Sequence, residues 1–268
     1  MWSKFEVDIW GILAEVVIFD CCDFMEIGKY VVADGVRRCV GISTFAAVSL
    51  IPYVAGIGVA IAVDLPVNVE VCQYVTGDIE YSFNGIGLTW SSPGVREASE
   101  RAAYKYLLEG TVFIHDIISY IETMMGGVGV EAALASLLGK SVAVMGMSNI
   151  PIPKFDNAWF VVMRPLEDMK SSRFEVDEKV LNVLGEISRK FIGEPLSALI
   201  KHSEIVPKMF GVDEDILGIV DRNGINAIAT VSGYGNYYVG ILFSESDAKL
   251  LVNYWRRYGP TVCSKILI

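Results

Sequence analysis

The chain has 268 residues, of which 53% are hydrophobic and 20% charged, so it is long and apolar enough to fold around a substantial core. Acidic residues number 32 against 22 Lys and Arg, and the formal net charge is −10. This charge argues against general binding to polyanions, and nucleic acid is not an expected partner. A small phosphorylated ligand stays compatible, because it needs only a local positive field and aligned backbone amides.

Cysteine and histidine usage gives no sign of a zinc site, since the chain has five cysteines, two histidines and no Cys-x-x-Cys. We interpret the cysteines as buried thiols of an intracellular protein. The start of the chain lacks the charged and apolar pattern of a secretory signal peptide. The expected location is therefore the cytoplasm.

Residues 39–63 contain no charged side chain and follow Arg37 and Arg38, so by length alone they could span a bilayer. Pro52 and Gly56 interrupt this segment, and its second half continues into strand-like alternation. The sequence therefore favours two buried strands joined by a turn near Pro52. A transmembrane span is the less favoured alternative, and a membrane is not an expected partner.

The other elements follow from periodicity and turn residues, although residues 5–19 fit a strand or a helix equally well. In chain order the patterns predict a strand or strand pair at 56–75, a turn-rich stretch at 76–94, helices at 96–110 and 112–124, a glycine turn and helix at 126–139, strands at 141–147 and 158–165, helices at 176–192, 197–211 and 213–224, a strand–glycine turn–strand unit at 226–243, a helix at 246–259 and a strand at 261–268. Strands at both ends with helices between them predict an α+β fold.

A glycine-rich loop at residues 84–94 stands directly before the first predicted helix. Gly85 and Gly87 would let the backbone approach a phosphate, and the first turn of the helix offers unpaired N–H groups and the positive end of its dipole. Ser91 or Ser92 could cap the helix, and Ser91 could also ligate Mg²⁺. No Gly-Lys-Ser/Thr follows, so this is not a Walker A loop. We predict that these four residues bind ATP or phosphate; a structural turn without a ligand is the alternative.

Phosphoryl transfer also needs a carboxylate to hold Mg²⁺ and a base to accept the proton of the substrate hydroxyl. Glu122 and Glu131 are the candidate catalytic residues, and Glu122 is also a candidate metal ligand beside Ser91. Glu131 follows a Gly-Gly-Val-Gly turn at the start of a predicted helix, where the helix dipole by itself favours a carboxylate. A solvated helix charge is the alternative for both residues.

Four stretches, at 41–71, 85–108, 115–140 and 194–242, resemble in the same order the motifs of the GHMP small-molecule kinases. The most similar members are pantoate kinases of the archaeal type. The four stretches contain, in order, a short Thr-containing strand, the glycine-rich loop with its Ser, the glycine turn with a carboxylate, and the turn Gly-Tyr-Gly-Asn. The resemblance covers residues 36–268, and the collinear order of the motifs supports it.

This resemblance implies a GHMP kinase fold, with a ribosomal protein S5 domain 2-like part at 36–150, a ferredoxin-like part at 151–268 and an unassigned segment at 1–35. It further implies ATP- and Mg²⁺-dependent phosphorylation of a small hydroxy acid, namely pantoate to 4-phosphopantoate in coenzyme A biosynthesis. Substrate contacts would fall on the matching residues, which are Thr44, Gly233, Gly235 and Asn236. The expected partner is this small molecule, and assembly into a homodimer is a further expectation.

The chain departs from the pantoate kinase pattern at several places. The His of the first motif is replaced by Ile42 or Ser43, the Arg of the next turn by Ala55, and the Asp of the later turn by Val130 or Glu131. Two alternatives therefore stay open. One is a catalytically impaired GHMP-fold protein that binds a ligand, and the other is an enzyme similar to the β-ribofuranosylaminobenzene 5′-phosphate synthases.

Overall fold

The computed structural model describes residues 4–9, 12–17, 30–33, 36–54, 57–145, 148–152, 155, 157–166, 178–233 and 235–267. The strands are β1 (Lys4–Ile9), β2 (Ile12–Val17), β3 (Tyr30–Ala33), β4 (Arg37–Val54), β5 (Ile57–Tyr74), β6 (Ile79–Asn84), β7 (Val142–Met145), β8 (Ser148–Pro151), β9 (Trp159–Met163), β10 (Ala227–Val231), β11 (Tyr238–Leu242) and β12 (Thr261–Leu267). The helices are α1 (Val95–Glu109), α2 (Ile114–Met125), α3 (Val130–Leu138), α4 (Glu178–Gly193), α5 (Pro195–Phe210), α6 (Glu214–Leu217), α7 (Ile219–Arg222) and α8 (Glu245–Trp255), with a short 3-10 helix at Gly87–Trp90.

The fold is built around the long antiparallel pair β4 and β5, each 18 residues long. The described residues of the uncharged segment lie in this pair, so the prediction of two buried strands is confirmed. The turn predicted near Pro52 is not found there, because β4 continues through Pro52 to Val54. Beyond a register shift at Phe45/Ala46, residues 46–51 and 59–63 are buried without the usual alternation. Strands covered on both faces are apolar along their whole length, which explains the resemblance to a membrane segment. Among the described helices, none is both long and apolar enough to cross a bilayer.

Strand β5 connects the whole sheet, because different parts of its free edge pair with three different strands. Ile57–Ala60 pair with β7, Ala62 and Val63 pair with β12, and residues 68–73 pair with β6. The opposite edge is occupied by β4, which in turn pairs with β3. The C-terminal part of the chain is thereby joined to the N-terminal strands in one sheet.

The C-terminal part has the strand order β10-β11-β9-β12, with all three pairings antiparallel. Helices α4 and α5 follow its first strand and α8 precedes its last, which is the ferredoxin-like arrangement. The indole of Trp255 on α8 is fully buried and donates to the carbonyl of Ile216 over 3.2 Å. The α+β fold inferred from the sequence is thus found, whereas the division at residue 150 stays a prediction.

Helices α1, α2 and α3 cover one face of the β4–β5 pair. The apolar contacts between them involve a common set of buried side chains: Val40, Ile42, Val69, Val71, Ala98, Ala102, Leu107, Ile117, Ile121 and Val130. Even-numbered positions of β4 and odd-numbered positions of β5 therefore face the helices. The alternate positions in this part of the strands lie on the opposite face.

Several local details differ from the sequence expectations. The turn-rich stretch contains β6, and the helix expected at 213–224 is split into α6 and α7 at Gly218. Two described cysteines, Cys39 and Cys72, form a disulfide between β4 and β5, so their interpretation as thiols is wrong. Cys263 is free, as expected. Cys21, Cys22, Ala55 and Gly56 lie outside the described residues.

Candidate functional site

Two glycine loops meet at the centre of the candidate site. The first is the phosphate loop, residues 84–94, and the second is the glycine turn at residues 126–129. A Cβ atom on Gly94 would collide with the carbonyl of Gly129, and one on Gly129 would collide with the carbonyl of Pro93. Both glycines have positive φ, 93° and 80°, which other residues adopt only at a cost. The backbones of the two loops are therefore in direct contact, and side chains are excluded from that contact.

Gly94 and Gly129 are also the N-cap residues of α1 and α3, so two helix N-termini lie side by side. Each first turn offers N–H groups that the helix itself does not use, together with the positive end of the helix dipole. The positive potentials of the two helix N-termini add, which favours binding of an anion between them. This contribution to the potential needs no Lys or Arg. The geometry suits a polyphosphate.

The serines of the phosphate loop have roles that the sequence did not indicate. Neither caps α1, because its N-cap is Gly94 and receives no side-chain hydrogen bond, so the predicted serine cap is wrong. The Ser91 hydroxyl donates to the carbonyl of Gly87 over 2.8 Å. Ser92 Oγ accepts the N–H of Ser49 over 2.8 Å, which fixes the loop to β4. Their contacts with phosphate or Mg²⁺ stay predictions.

Gly85 and Gly87 have a packing reason to be glycine. A Cβ atom on Gly85 would stand 2.7 Å from the carbonyl oxygen of Pro66, and one on Gly87 2.5 Å from the same atom. The first part of the phosphate loop is therefore seated directly on the backbone of β5. Phosphate binding by these two glycines stays a prediction.

On the other side of the glycine turn, Tyr53 at the end of β4 contacts both candidate carboxylates. Its backbone N–H donates to Oε2 of Glu131 over 3.0 Å, and its hydroxyl donates to Oε1 of Glu122 over 3.3 Å. Glu131 lies in the first turn of α3 and is fully buried. A Cβ atom on Gly58 would stand 3.1 Å from the Cβ of Glu131, so β5 passes close behind the carboxylate. Burial, with Glu122 and Glu131 nearby, raises the pKa of the Tyr53 phenol.

The C-terminal turn at residues 232–237 contacts the same region from the other half of the sheet. The N–H of Gly233 donates to the carbonyl of Ser49 over 2.8 Å, and a Cβ there would stand 2.6 Å from Cδ of Pro52. The Tyr237 hydroxyl lies 3.2 Å from the carbonyl of Thr89 in the phosphate loop, to which it donates. The turn therefore supports both β4 and the phosphate loop.

The predicted substrate residues fall into different environments. Gly233 lies against β4, Gly235 lies against the Phe210 ring, and Asn236 is exposed. Thr44 is buried under α1, where its hydroxyl shares a 2.8 Å hydrogen bond with Ser99. The structure brings the first three to one turn and places Thr44 beneath the helix. Substrate contact by any of them stays a prediction.

Tyr53 and Tyr237 are site residues that the sequence analysis did not identify as functional. Tyr53 lies in the uncharged segment at 39–63, and Tyr237 lies in the strand–glycine turn–strand unit at 226–243. Their partners are 69 to 148 positions away in the chain. No local sequence pattern reports contacts over such separations.

Glu122 and Ser91 offer carboxylate and hydroxyl oxygens, the donor types that a hard divalent cation prefers. These residues could hold Mg²⁺ together with the phosphates. Elsewhere in the described chain, Cys39, Glu70 and Cys72 bring possible metal ligands within 4.8 Å of one another. There the two sulfurs are bonded to each other, so they are not thiolate ligands in this state.

No protein-family model and no curated protein matches the sequence. Solved structures do match the fold. A homoserine kinase from Cytophaga hutchinsonii aligns with a TM-score of 0.61 at 12% identity, over 85% of this chain and 95% of that one. Mevalonate-3-kinase from Thermoplasma acidophilum, with mevalonate 3-phosphate and ADP bound, aligns at 0.58 and 12%, over 88% and 97%. A phosphotransferase related to the CoA biosynthesis pathway aligns at 0.58 and 12%, over 85% and 96%. These likenesses establish a fold shared with small-molecule kinases.

Proposed function

We propose that this protein is an ATP-dependent small-molecule kinase that phosphorylates a hydroxy acid, with pantoate as the acceptor. The observation that carries the proposal is the contact of Gly94 with Gly129. It places the N-termini of α1 and α3 together and puts Glu131 in the first turn behind them. A polyphosphate and a hydroxyl group to be deprotonated would both find matching groups there.

In the proposed reaction the acceptor hydroxyl oxygen forms a bond to the γ-phosphorus, and the bond from that phosphorus to the β–γ bridging oxygen breaks. The hydroxyl proton passes to the Glu131 carboxylate, and ADP leaves with the electron pair of the broken bond. The N–H groups of the two helix starts would stabilise charge on the phosphates. Bound Mg²⁺ would neutralise the same charge, with Glu122 and Ser91 as its proposed ligands.

The backbone N–H of Tyr53 would keep the Glu131 carboxylate in one orientation during this transfer. Glu131 is buried, so water has little access to it, and the proton is passed within a site of low dielectric constant. Release of the product returns the proton from Glu131 to solvent. The shared fold with kinases of mevalonate and homoserine supports phosphoryl transfer, and the CoA-related phosphotransferase supports pantoate as the acceptor.

The proposal is tested by measuring ADP formation from Mg-ATP with pantoate, mevalonate and homoserine as separate acceptors. We expect turnover with pantoate and a loss of 100-fold or more, on the order of a general base contribution, in Glu131→Gln. Glu204→Gln, which changes an exposed glutamate on α5, is the matched control and should keep full activity. Turnover in Glu131→Gln equal to that of the control would contradict the assigned base.

The second candidate is ligand binding without transfer, which is favoured by the full burial of Glu131. Nucleotide affinity with no ADP formed from any hydroxy acid would support it. A third outcome, release of pyrophosphate from phosphoribosyl pyrophosphate, would instead favour an enzyme similar to the β-ribofuranosylaminobenzene 5′-phosphate synthases. The same preparation of folded protein serves all three assays.

A further inference from the structure

Strand β6 lies at an edge of the large sheet. In the described part of the chain it pairs only with β5, so its outer edge has no strand beside it. At the turn between these two strands, the N–H of Tyr74 donates to the carbonyl of Asp78 over 2.9 Å. Because the bonds of an antiparallel ladder alternate along a strand, the even-numbered positions of β6 bond to β5. The backbone N–H and C=O groups of Ile79, Tyr81 and Phe83 therefore point outward.

The same three residues carry the apolar side chains of β6. Their register partners on β5 have odd numbers, and odd positions of β5 face the helices, so the three side chains share that face. Phe83 is partly buried and packs against the apolar side chains beneath α1 and α2. Ile79 and Tyr81 are 38% and 40% exposed. A row of apolar side chains thus continues from the core to the open edge of the sheet.

Strand β6 has neither of the residues that most often protect an open edge, lysine and proline. Its sequence is Ile-Glu-Tyr-Ser-Phe-Asn, and its one charged side chain is Glu80. The Tyr74 hydroxyl donates to Oε2 of Glu80 over 2.7 Å, which holds this carboxylate on the sheet face opposite the helices. An exposed apolar edge of this kind is a template for pairing with another strand.

A second copy of β6 fits this edge when a two-fold axis passes through Tyr81. Antiparallel pairing then places Ile79 opposite Phe83 of the other copy, and Tyr81 opposite its own copy. All three outward backbone positions find partners, and the exposed apolar row is covered by an identical row. On the other face of the sheet, Glu80 stands opposite the hydroxyl of Ser82, so no two like charges face each other.

Other features favour this register over its neighbours. Beyond the ends of the strand it places Asp78 opposite Asn84, whose NH₂ group can donate to the carboxylate. An axis through Glu80 would instead set two carboxylates directly opposite each other, which is destabilising. An axis shifted one residue toward the C-terminus would place Ile79 opposite Gly85, which has a φ of 96° and is not part of the strand. The edge is therefore most complementary to itself about Tyr81.

We infer that the outer edge of β6 is a homodimer interface, in which two copies of the chain pair about an axis at Tyr81 and join their sheets into one. Because this contact uses the open edge of both copies, pairing stops at two chains and does not continue into a polymer. The paired strands are short, so we expect a dissociation constant in the micromolar range. The inference does not depend on the proposed kinase activity.

Sedimentation equilibrium over a range of protein concentrations measures the dissociation constants of wild type and two lysine variants. We expect wild type to reach twice the mass of one chain. Tyr81→Lys sets two like charges opposite each other at the axis and should raise the dissociation constant about tenfold or more. Ser82→Lys is the matched control, because it adds the same charge to the same strand but faces Glu80 of the other copy. Its dimer should persist.

A covalent test keeps the inference decidable if Tyr81→Lys folds poorly. Tyr81→Cys places its thiol opposite its own copy in a hydrogen-bonded pair, with a Cα–Cα distance of about 5.5 Å that a disulfide can bridge. The oxidant diamide should therefore link two chains of this variant. Val75→Cys is the control, since Val75 is 77% exposed in the turn before β6, and the two copies of that turn would lie at opposite ends of the paired strands.

Three results would overturn the inference. The first is a wild type that stays monomeric at every concentration. The second is an equal dissociation constant for the two lysine variants, which would show that the dimer forms through another surface or another register. The third is equal cross-linking of the two cysteine variants.

Discussion

The backbone N–H of Tyr53 donates to Oε2 of Glu131 over 3.0 Å, across 78 positions of sequence. The same residue reaches Glu122 with its hydroxyl. One residue at the end of β4 thus holds the two carboxylates that phosphoryl transfer would need, one through its main chain and one through its side chain. The two contacts can be separated by mutation, because Phe keeps the N–H and loses the hydroxyl.

Tyr53→Phe is therefore expected to leave Glu131 in place and release Glu122. Loss of one hydrogen bond of this kind should raise the Mg²⁺ concentration needed for half-maximal activity by about 2- to 10-fold, with a smaller effect at saturating Mg²⁺. The measurement is the initial rate of ADP formation against Mg²⁺ concentration. An unchanged Mg²⁺ dependence would remove Glu122 from the set of metal ligands.

Gly94→Ala should abolish nucleotide binding and destabilise the fold. The new methyl group would collide with the carbonyl of Gly129, in addition to the cost of a positive φ. Gly110→Ala is the matched control, because Gly110 also has positive φ, 71°, but its Cβ would enter open space. The control should cost about 1 kcal/mol in free energy of unfolding, and Gly94→Ala clearly more. Urea unfolding gives the stability of both variants, and titration with ATP gives their affinities. Equal stability and equal ATP affinity of the two variants would contradict a tight contact between the loops.

Sequence periodicity predicts α1 well, because its apolar positions recur on one face and Gly110 ends it with an αL cap. It does not separate β6 from its turns, since the strand has six residues, is mostly exposed and lies between Gly77 and Gly85. The helix expected at 213–224 breaks at Gly218, where a Cβ would stand 3.1 Å from the Arg222 guanidinium. Local sequence patterns indicate which face of a helix is buried and where the helix ends, but they do not indicate an interruption of this kind.

The candidate site is only partly predictable for a related reason. The glycine turn and Glu131 are adjacent in sequence, so the motif and its carboxylate are found together. Tyr53 and Tyr237 act on partners in other parts of the fold, and the Cys39–Cys72 pairing depends on the register of β4 with β5. Thr44 matches its motif, yet the strand alternation that buries it under α1 becomes visible only once the helices are placed.

His202 should make the protein sensitive to mild acid. Its Nε2 donates to the carbonyl of Leu50, and its Nδ1 shares a hydrogen bond with the hydroxyl of Thr230, both over 2.8 Å. Complete burial lowers its pKa from 6.5 to about 4. The unfolded chain therefore binds more protons between these pH values, and stability falls as the pH drops from 6.5 toward 4. At pH 5 this titration lowers the free energy of unfolding by about 2 kcal/mol.

The measurement is the free energy of unfolding of wild type and His202→Gln at pH 7.5, 6 and 5. The variant is expected to be less stable at pH 7.5, and the difference should shrink as the pH falls. Carboxylates that titrate in both proteins cancel in this comparison. A difference that is constant with pH would show that His202 does not titrate on unfolding.

The Cys39–Cys72 disulfide should contribute to stability under oxidising conditions. It closes a loop with a sequence separation of 33, for which the chain-entropy model gives up to about 4 kcal/mol. A phosphine reductant should lower the urea midpoint of wild type and leave the Cys39→Ser/Cys72→Ser variant unchanged. Cys263→Ser is the control, because burial raises the pKa of that thiol to about 11 and keeps it unreactive. Peptide mass mapping that finds no linked pair would contradict the bond.

The pairing of β12 with the middle of β5 has a consequence for how the protein is made. Ser264 donates to the carbonyl of Asp64, 200 positions earlier, and Ile266 pairs with Val63 beside it. During synthesis the edge of β5 at Ala62 and Val63 has no strand to pair with until β12 leaves the ribosome. Contacts of such long range form slowly, and a bare apolar edge invites pairing with other chains. Production of the full-length protein should therefore benefit from slow translation and chaperones, and a fragment ending before β12 should aggregate.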